Sequence, residues 1–123
     1  MSCDVCLAPF DGQVEFYYEE KRRARKPHTC YEQCGNRIDV GAFYWRVGGK
    51  CEGEMWRASI CVYCYEINNV FSCDGGPEFG NLWENMEYVF EDLSVRSGCL
   101  HQLSNEARAF LTAKWWDWKE RRA

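Results

Sequence analysis

Two pairs of cysteines have the residue types and the spacing of a metal site. Cys30 and Cys34 form the first pair, and Cys61 and Cys64 form the second. Four thiolates arranged as two pairs are typical ligands of a closed, tetrahedral zinc site. Gly35 follows the first pair and allows the tight turn that points backbone amides at the sulfurs. The alternative is two buried pairs without metal, but paired cysteines in a reducing compartment rarely serve packing alone.

The remaining cysteines offer ligands for a second metal site. The chain has nine cysteines, an odd number that argues against a framework of paired disulfides. Cys3 and Cys6 have ligand spacing but need two further ligands. His28 lies just before the first site, and Cys73 follows the helix expected after the second pair. We therefore predict a second zinc ion held by Cys3, Cys6, His28 and Cys73. Three residues are expected to lie outside both sites, namely Cys51, Cys99 and His101.

The segment between the two pairs predicts a β-hairpin. Residues 42–47 and 55–60 are rich in aromatic and aliphatic residues, and glycine-containing turns separate them. A helix is predicted from about Val62 to Phe71, with a buried face formed by Val62, Tyr65, Ile67 and Phe71. A knuckle, a hairpin and a helix whose first turn carries two ligands follow the treble-clef order. The helical pattern after Cys64 favours this order over a zinc ribbon.

Flanking segments complete an α+β fold in which a small treble-clef-like zinc core precedes two C-terminal helices. Residues 14–18 predict a short strand, and the charged residues 19–26 are expected to be exposed. Asn81 is expected to cap a helix with Glu84 as its capping-box partner. Its apolar face comprises Leu82, Met86, Val89, Phe90 and Leu93. Ser104 is expected to cap the last helix, whose shared face comprises Ala107, Phe110, Leu111, Lys114, Trp115 and Trp118.

The sequence predicts one domain, residues 1–123, made of a zinc core, 1–80, and a helical part, 81–123.

The charge of the chain is unevenly distributed. The net charge is −4, which disfavours a generic nucleic-acid binder. Five cations nevertheless form a basic cluster, namely Lys21, Arg22, Arg23, Arg25 and Lys26. The segment 74–92 carries only acidic charges. Such segregation indicates two electrically distinct surfaces, although an ordinary solvated stretch is the simpler interpretation of each.

One stretch resembles a known group of proteins. The string from Ala24 to Ile38, followed by Gly41, Tyr44 and Gly53, is similar to small zinc-finger proteins without an assigned activity that tailed phages and prophages encode. The resemblance continues through the second cysteine pair, Cys73 and the Leu82-Trp83-Glu84 helix, and covers roughly residues 1–93. It departs from the group at Gln33, which lengthens the usual Cys-x-x-Cys of the first pair to Cys-x-x-x-Cys.

The composition of the sites favours binding over catalysis. A catalytic zinc needs an open coordination position and a general base, but four cysteines close the first site and no His-x-Glu motif accompanies the pairs. We therefore expect a non-enzymatic zinc module, without a small-molecule substrate, that binds and modulates a host or phage protein. By analogy with small phage proteins, it would act as an anti-defence inhibitor such as an anti-CRISPR.

The expected partner is a protein with a basic surface. The residues predicted to contact it are Glu84, Glu87, Glu91, Asp92 and Trp116. The alternative is a nucleic-acid-binding zinc-finger regulator that uses the basic cluster. A core-packing role for the tryptophans and a solvated face for the glutamates are the simpler interpretations. No signal peptide or transmembrane segment is expected, which indicates the host bacterial cytoplasm.

Overall fold

The protein is an α+β structure with a small antiparallel sheet and four helices among the residues that this computed structural model describes, namely 7, 14–72 and 78–122. Its strands are β1 (Val14–Arg23), β2 (His28–Thr29), β3 (Arg37–Ile38), β4 (Phe43–Cys51) and β5 (Glu54–Cys61). Its helices are α1 (Val62–Val70), α2 (Leu82–Asp92), α3 (Gly98–Gln102) and α4 (Asn105–Arg122). The main sheet has the order β1-β4-β5, and β2 pairs with β3.

Strand β1 is longer than its sequence predicts. The prediction ended the strand at Tyr18, whereas β1 continues to Arg23 and pairs with β4 from end to end. Its charged second half is compatible with a strand because β1 lies at the edge of the sheet, where charged side chains reach solvent. Three of the five residues of the basic cluster therefore lie on the sheet, while Arg25 and Lys26 follow it.

The predicted hairpin and the helix after it are confirmed. Glu52 and Gly53 connect β4 to β5 with positive φ angles of 52° and 84°, the backbone of a tight hairpin turn. Helix α1 follows β5 without a loop. It buries Ile67 and Asn68, and its Tyr65 ring stacks on Trp45 of β4 at a centroid distance of 3.9 Å. Helix α1 therefore covers one face of the sheet.

The C-terminal helices complete the core against α1. The predicted apolar face of α2 is buried along its whole length, from Leu82 to Leu93. On α4, Leu111 is fully buried, whereas Trp116 is 59% exposed, as its position off the shared face predicts. The short helix α3 is an addition to the two predicted helices. Within the described residues, no helix combines the length and the apolar composition needed to cross a bilayer.

Candidate metal centre

The first cysteine pair lies in a knuckle between two short strands. Strands β2 and β3 pair antiparallel, and the chain turns between them through Cys30 and Cys34. The additional residue of this knuckle, Gln33, has a positive φ of 55°, and Gly35 has a φ of 85°. These left-handed residues bend the backbone so that the Asn36 amide donates to Cys34 Sγ at 3.3 Å. The longer spacing is therefore compatible with a knuckle.

The second pair joins the hairpin to α1. Cys61 ends β5 and is also the N-cap of α1, and its Sγ accepts a hydrogen bond from the Cys64 amide at 3.4 Å. The Cys61 amide in turn donates to Cys30 Sγ at 3.4 Å. Helix N-termini and backbone amides stabilise thiolates, because both direct positive charge at the sulfur.

The four sulfurs form one buried cluster with the dimensions of a metal site. All four Sγ atoms lie within 4.8 Å of one another, and the sulfurs of Cys34 and Cys61 are 3.8 Å apart. A disulfide would bring two sulfurs to about 2.05 Å. A tetrahedral ion with metal–sulfur bonds of about 2.3 Å separates its ligands by about 3.8 Å. The predicted set of Cys30, Cys34, Cys61 and Cys64 could therefore hold a metal ion.

Close packing of these thiols changes their acidity. Hydrogen bonds from the thiols of Cys30, Cys34 and Cys64 lower the pKa of Cys61 far below the usual value for a thiol.

A lysine of α4 contacts the knuckle. Lys114 Nζ donates a hydrogen bond to the Cys34 carbonyl oxygen at 2.5 Å. The same ammonium group lies 5.6 Å from the centre of the Trp83 ring. Helix α4 therefore supplies positive charge close to the cluster.

Glu32 connects the knuckle to α2. This residue lies between the two cysteines of the first pair and is only 5% exposed. Its Oε1 accepts hydrogen bonds from the amides of Gly80 at 2.9 Å and Leu82 at 3.1 Å. The predicted capping box of α2 is wrong, because the Asn81 side chain makes no capping bond. Burial raises the pKa of the Glu32 carboxyl, while the two amides oppose that shift.

Most residues of the predicted second site lie outside the described part of the chain. The structure does not describe Cys3, Cys6 and Cys73, so the site stays a prediction. His28 is half-buried, with its ring 4.7 Å from that of Tyr44. Burial, together with the positive charges of Arg46 and Lys26, lowers the pKa of His28.

The residues expected outside both sites are not part of the four-cysteine cluster. Cys99 is buried and Cys51 is half-buried. His101 is exposed, and its Nε2 is hydrogen-bonded to the Val95 carbonyl oxygen at 2.7 Å.

All residues predicted to contact a partner are exposed. Glu84, Glu87, Glu91 and Asp92 form an outward stripe on α2, called here the acidic stripe. Segment 74–92 contains no cation, but α4 supplies one to Glu91, because Arg122 Nη1 lies 3.7 Å from Glu91 Oε1. On α4, the ammonium group of Lys119 lies over the Trp116 ring at 5.1 Å.

Sequence reasoning missed two features of this region. The sequence contains no signal for the role of Glu32, because a glutamate inside a knuckle does not reveal that it will reach a helix distant in the sequence. It does contain a signal for Lys114, which falls on the otherwise apolar face of α4 and needs a partner there. No family model matches the chain, and no curated protein or solved structure matches it either.

Proposed function

We propose that the four-cysteine cluster binds zinc and that the core around it is a treble clef. Two observations support the metal: the all-thiolate donor set, and sulfur separations that suit bonds of about 2.3 Å. The knuckle, the hairpin and the ligands on the first turn of α1 support the fold. Cysteine-rich sites also accept iron, so metal analysis of the purified protein must identify the element.

The zinc count tests the two predicted sites separately. Protein purified without added metal is expected to contain two zinc ions per chain, one in the cluster and one at the predicted site of Cys3, Cys6, His28 and Cys73. A Cys3→Ser/Cys6→Ser variant should then contain one. A wild-type value near one would contradict the second site, and a value near zero would contradict both.

The proposed activity is binding, without catalysis. All four ligands of the cluster are buried protein thiols, so a zinc ion held by them has no open position for water or substrate. Such an ion contributes folding free energy and holds surface residues in place. The proposed function is therefore that of a zinc-stabilised interaction module.

The proposed partner is a host or phage protein with a basic surface that contacts the acidic stripe. The observation that carries this proposal is that Glu84 and Glu87 are exposed and form no ion pair with any described cation. Tyr88, one turn after Glu84 on α2, is 75% exposed and adds an aromatic contact. A phage origin and an anti-defence role, such as inhibition of a CRISPR nuclease, rest on the resemblance of residues 1–93.

Capture from a host lysate tests this surface. A triple Glu84→Gln/Glu87→Gln/Glu91→Gln variant should retain its metal and its fold but lose the captured protein, because the charges that attract a basic surface are gone. A matched control neutralises three exposed acids elsewhere, Glu54, Glu106 and Glu120, and should capture normally. Equal capture by both variants and the wild type would contradict the role of the acidic stripe. The alternative function, a nucleic-acid-binding regulator, would use the basic cluster and not the acidic stripe.

A further inference from the structure

The face of the sheet opposite α1 carries residues of all three strands of the main sheet. Side chains alternate between the two faces of a strand, and the register places Tyr18, Gly48 and Arg57 side by side across β1, β4 and β5. Tyr18 lies across Gly48, where an added Cβ would be 2.6 Å from the tyrosine hydroxyl oxygen. Glycine at this position therefore lets the Tyr18 ring pack directly against the backbone of β4.

A positively charged groove lies on this face. It consists of two neighbouring hollows, of about 940 and 280 Å³, that share Lys26, His28 and Arg46 as walls. Arg22 lines the larger hollow and Arg57 the smaller one. We call the set of Arg22, Lys26, His28, Arg46 and Arg57 the cationic groove.

Among the described residues, most positive charge in the cationic groove has no counterion. The one described carboxylate that lines the groove, Glu20, lies 2.9 Å from the guanidinium of Arg22. Within 7, 14–72 and 78–122, no carboxylate forms an ion pair with Lys26, Arg46 or Arg57. Arg46 Nε is also shielded from solvent without a described hydrogen-bond partner. A buried donor without an acceptor is costly, so the groove is suited to an anion that brings several oxygen atoms.

Exposed aromatic rings lie on the same face of the sheet and in the wall of the smaller hollow. Phe16 and Tyr18 of β1 are 46% and 40% exposed, and Tyr31, which lines the smaller hollow, is 48% exposed. Bases of a single strand stack on such rings while its phosphates contact arginine and lysine. A duplex keeps its bases stacked on one another and leaves the rings unused.

We propose that the cationic groove and the rings of Phe16, Tyr18 and Tyr31 bind single-stranded nucleic acid. The phosphodiester backbone contacts Lys26, Arg46 and Arg57, and the bases stack on the rings. The net charge of −4 does not oppose this, because no residue of the acidic stripe lines the groove. This surface is separate from the one proposed for a protein partner, so either proposal can fail without the other.

Fluorescence anisotropy of a labelled oligothymidylate tests the proposal on the full chain with its metal. Affinity should fall as salt rises, with log K changing by about 0.7 per log unit of salt for each phosphate contact. The Lys26→Gln/Arg57→Gln variant removes two exposed cations, so it should bind at least tenfold more weakly and reduce the salt slope by about 1.4. Arg96→Gln/Arg121→Gln makes the same change in net charge outside the groove and should bind like the wild type.

The aromatic contribution needs its own variants. Tyr18→Leu should weaken binding of the oligothymidylate about fivefold or more, since one stacked base is worth about 1–3 kcal/mol. Tyr88→Leu removes an exposed ring from α2 and should have no effect on this binding. Thermal melts establish that each variant is folded.

Three results would overturn the proposal. A mixed-sequence duplex bound as tightly as the oligothymidylate, with no effect of Tyr18→Leu, would assign the groove to duplex backbone. Polyglutamate bound with the same affinity and salt slope would assign it to an acidic protein. An absence of binding to the oligothymidylate at low salt would exclude single-stranded nucleic acid.

Discussion

The metal centre and the cationic groove use charge in opposite ways. In the metal centre, backbone amides donate to the sulfurs of Cys30, Cys34 and Cys61, and Lys114 donates to the carbonyl oxygen of the knuckle. In the groove, Lys26, Arg46 and Arg57 have no described acidic partner. Paired polar groups stabilise a fold, whereas unpaired charges of one sign repel one another and remain free to bind a ligand. The first region therefore suits a stabilising role, and the second suits the binding role proposed for it.

The largest expected effect is at the metal centre. Cys61→Ser should unfold the protein, because this residue ends β5, caps α1 and is one of the four cysteines that could hold a metal ion. Loss of one thiolate from a closed site removes several kcal/mol of metal-coupled folding free energy. Circular dichroism and metal analysis of the purified variant measure both losses.

Two cysteines outside the cluster provide the controls for this prediction. Cys99→Ser replaces a buried thiol, and Cys51→Ser replaces a half-buried one. Both variants should keep the metal and melt cooperatively. If Cys61→Ser melted at the same temperature as Cys99→Ser, the cluster would not be the stabilising centre of the fold.

The sequence was most informative where the chemistry is local. Paired cysteines, a glycine after the first pair and an apolar period after the second predicted the cluster, the hairpin and α1. The apolar face of α2 was equally readable from its periodicity. These features depend on residues close together in the chain, whose spacing limits the possible geometry.

Features that depend on contacts between distant segments could not be predicted from the sequence. The length of β1 depends on pairing with β4, which its charged residues alone do not reveal. The cap of α2 comes from Glu32, and the counterion of Glu91 comes from α4. The cationic groove likewise requires the register that places Arg46 near the basic cluster. The sequence predicted that cluster but not the arginines of β4 and β5 beside it.

An intermediate effect is expected at Glu32, which links the metal centre to α2. Glu32→Ala leaves the amides of Gly80 and Leu82 without their acceptor, and should lower the free energy of unfolding by about 1–3 kcal/mol. Glu32→Gln retains a carbonyl oxygen and should be less destabilising. Urea denaturation at neutral pH measures both variants. The exposed Glu120→Gln is the matched control, and an Ala variant as stable as that control would show that the cap contributes nothing.

The smallest effect on stability is expected in the groove. The sign of the change in unfolding free energy tests whether its cations are unpaired, in contrast to the polar groups of the metal centre. Lys26→Gln/Arg57→Gln removes two cations without ion pairs, so the free energy of unfolding should stay within about 0.5 kcal/mol of wild type or rise. Added salt should stabilise the wild type more than this variant, because salt screens repulsion that the variant lacks. Urea denaturation at low and high salt measures both quantities, with Arg96→Gln/Arg121→Gln as the charge-matched control. A loss above about 1 kcal/mol would mean that these cations have structural partners. The groove would then resemble the metal centre, and its charges would no longer indicate a binding surface.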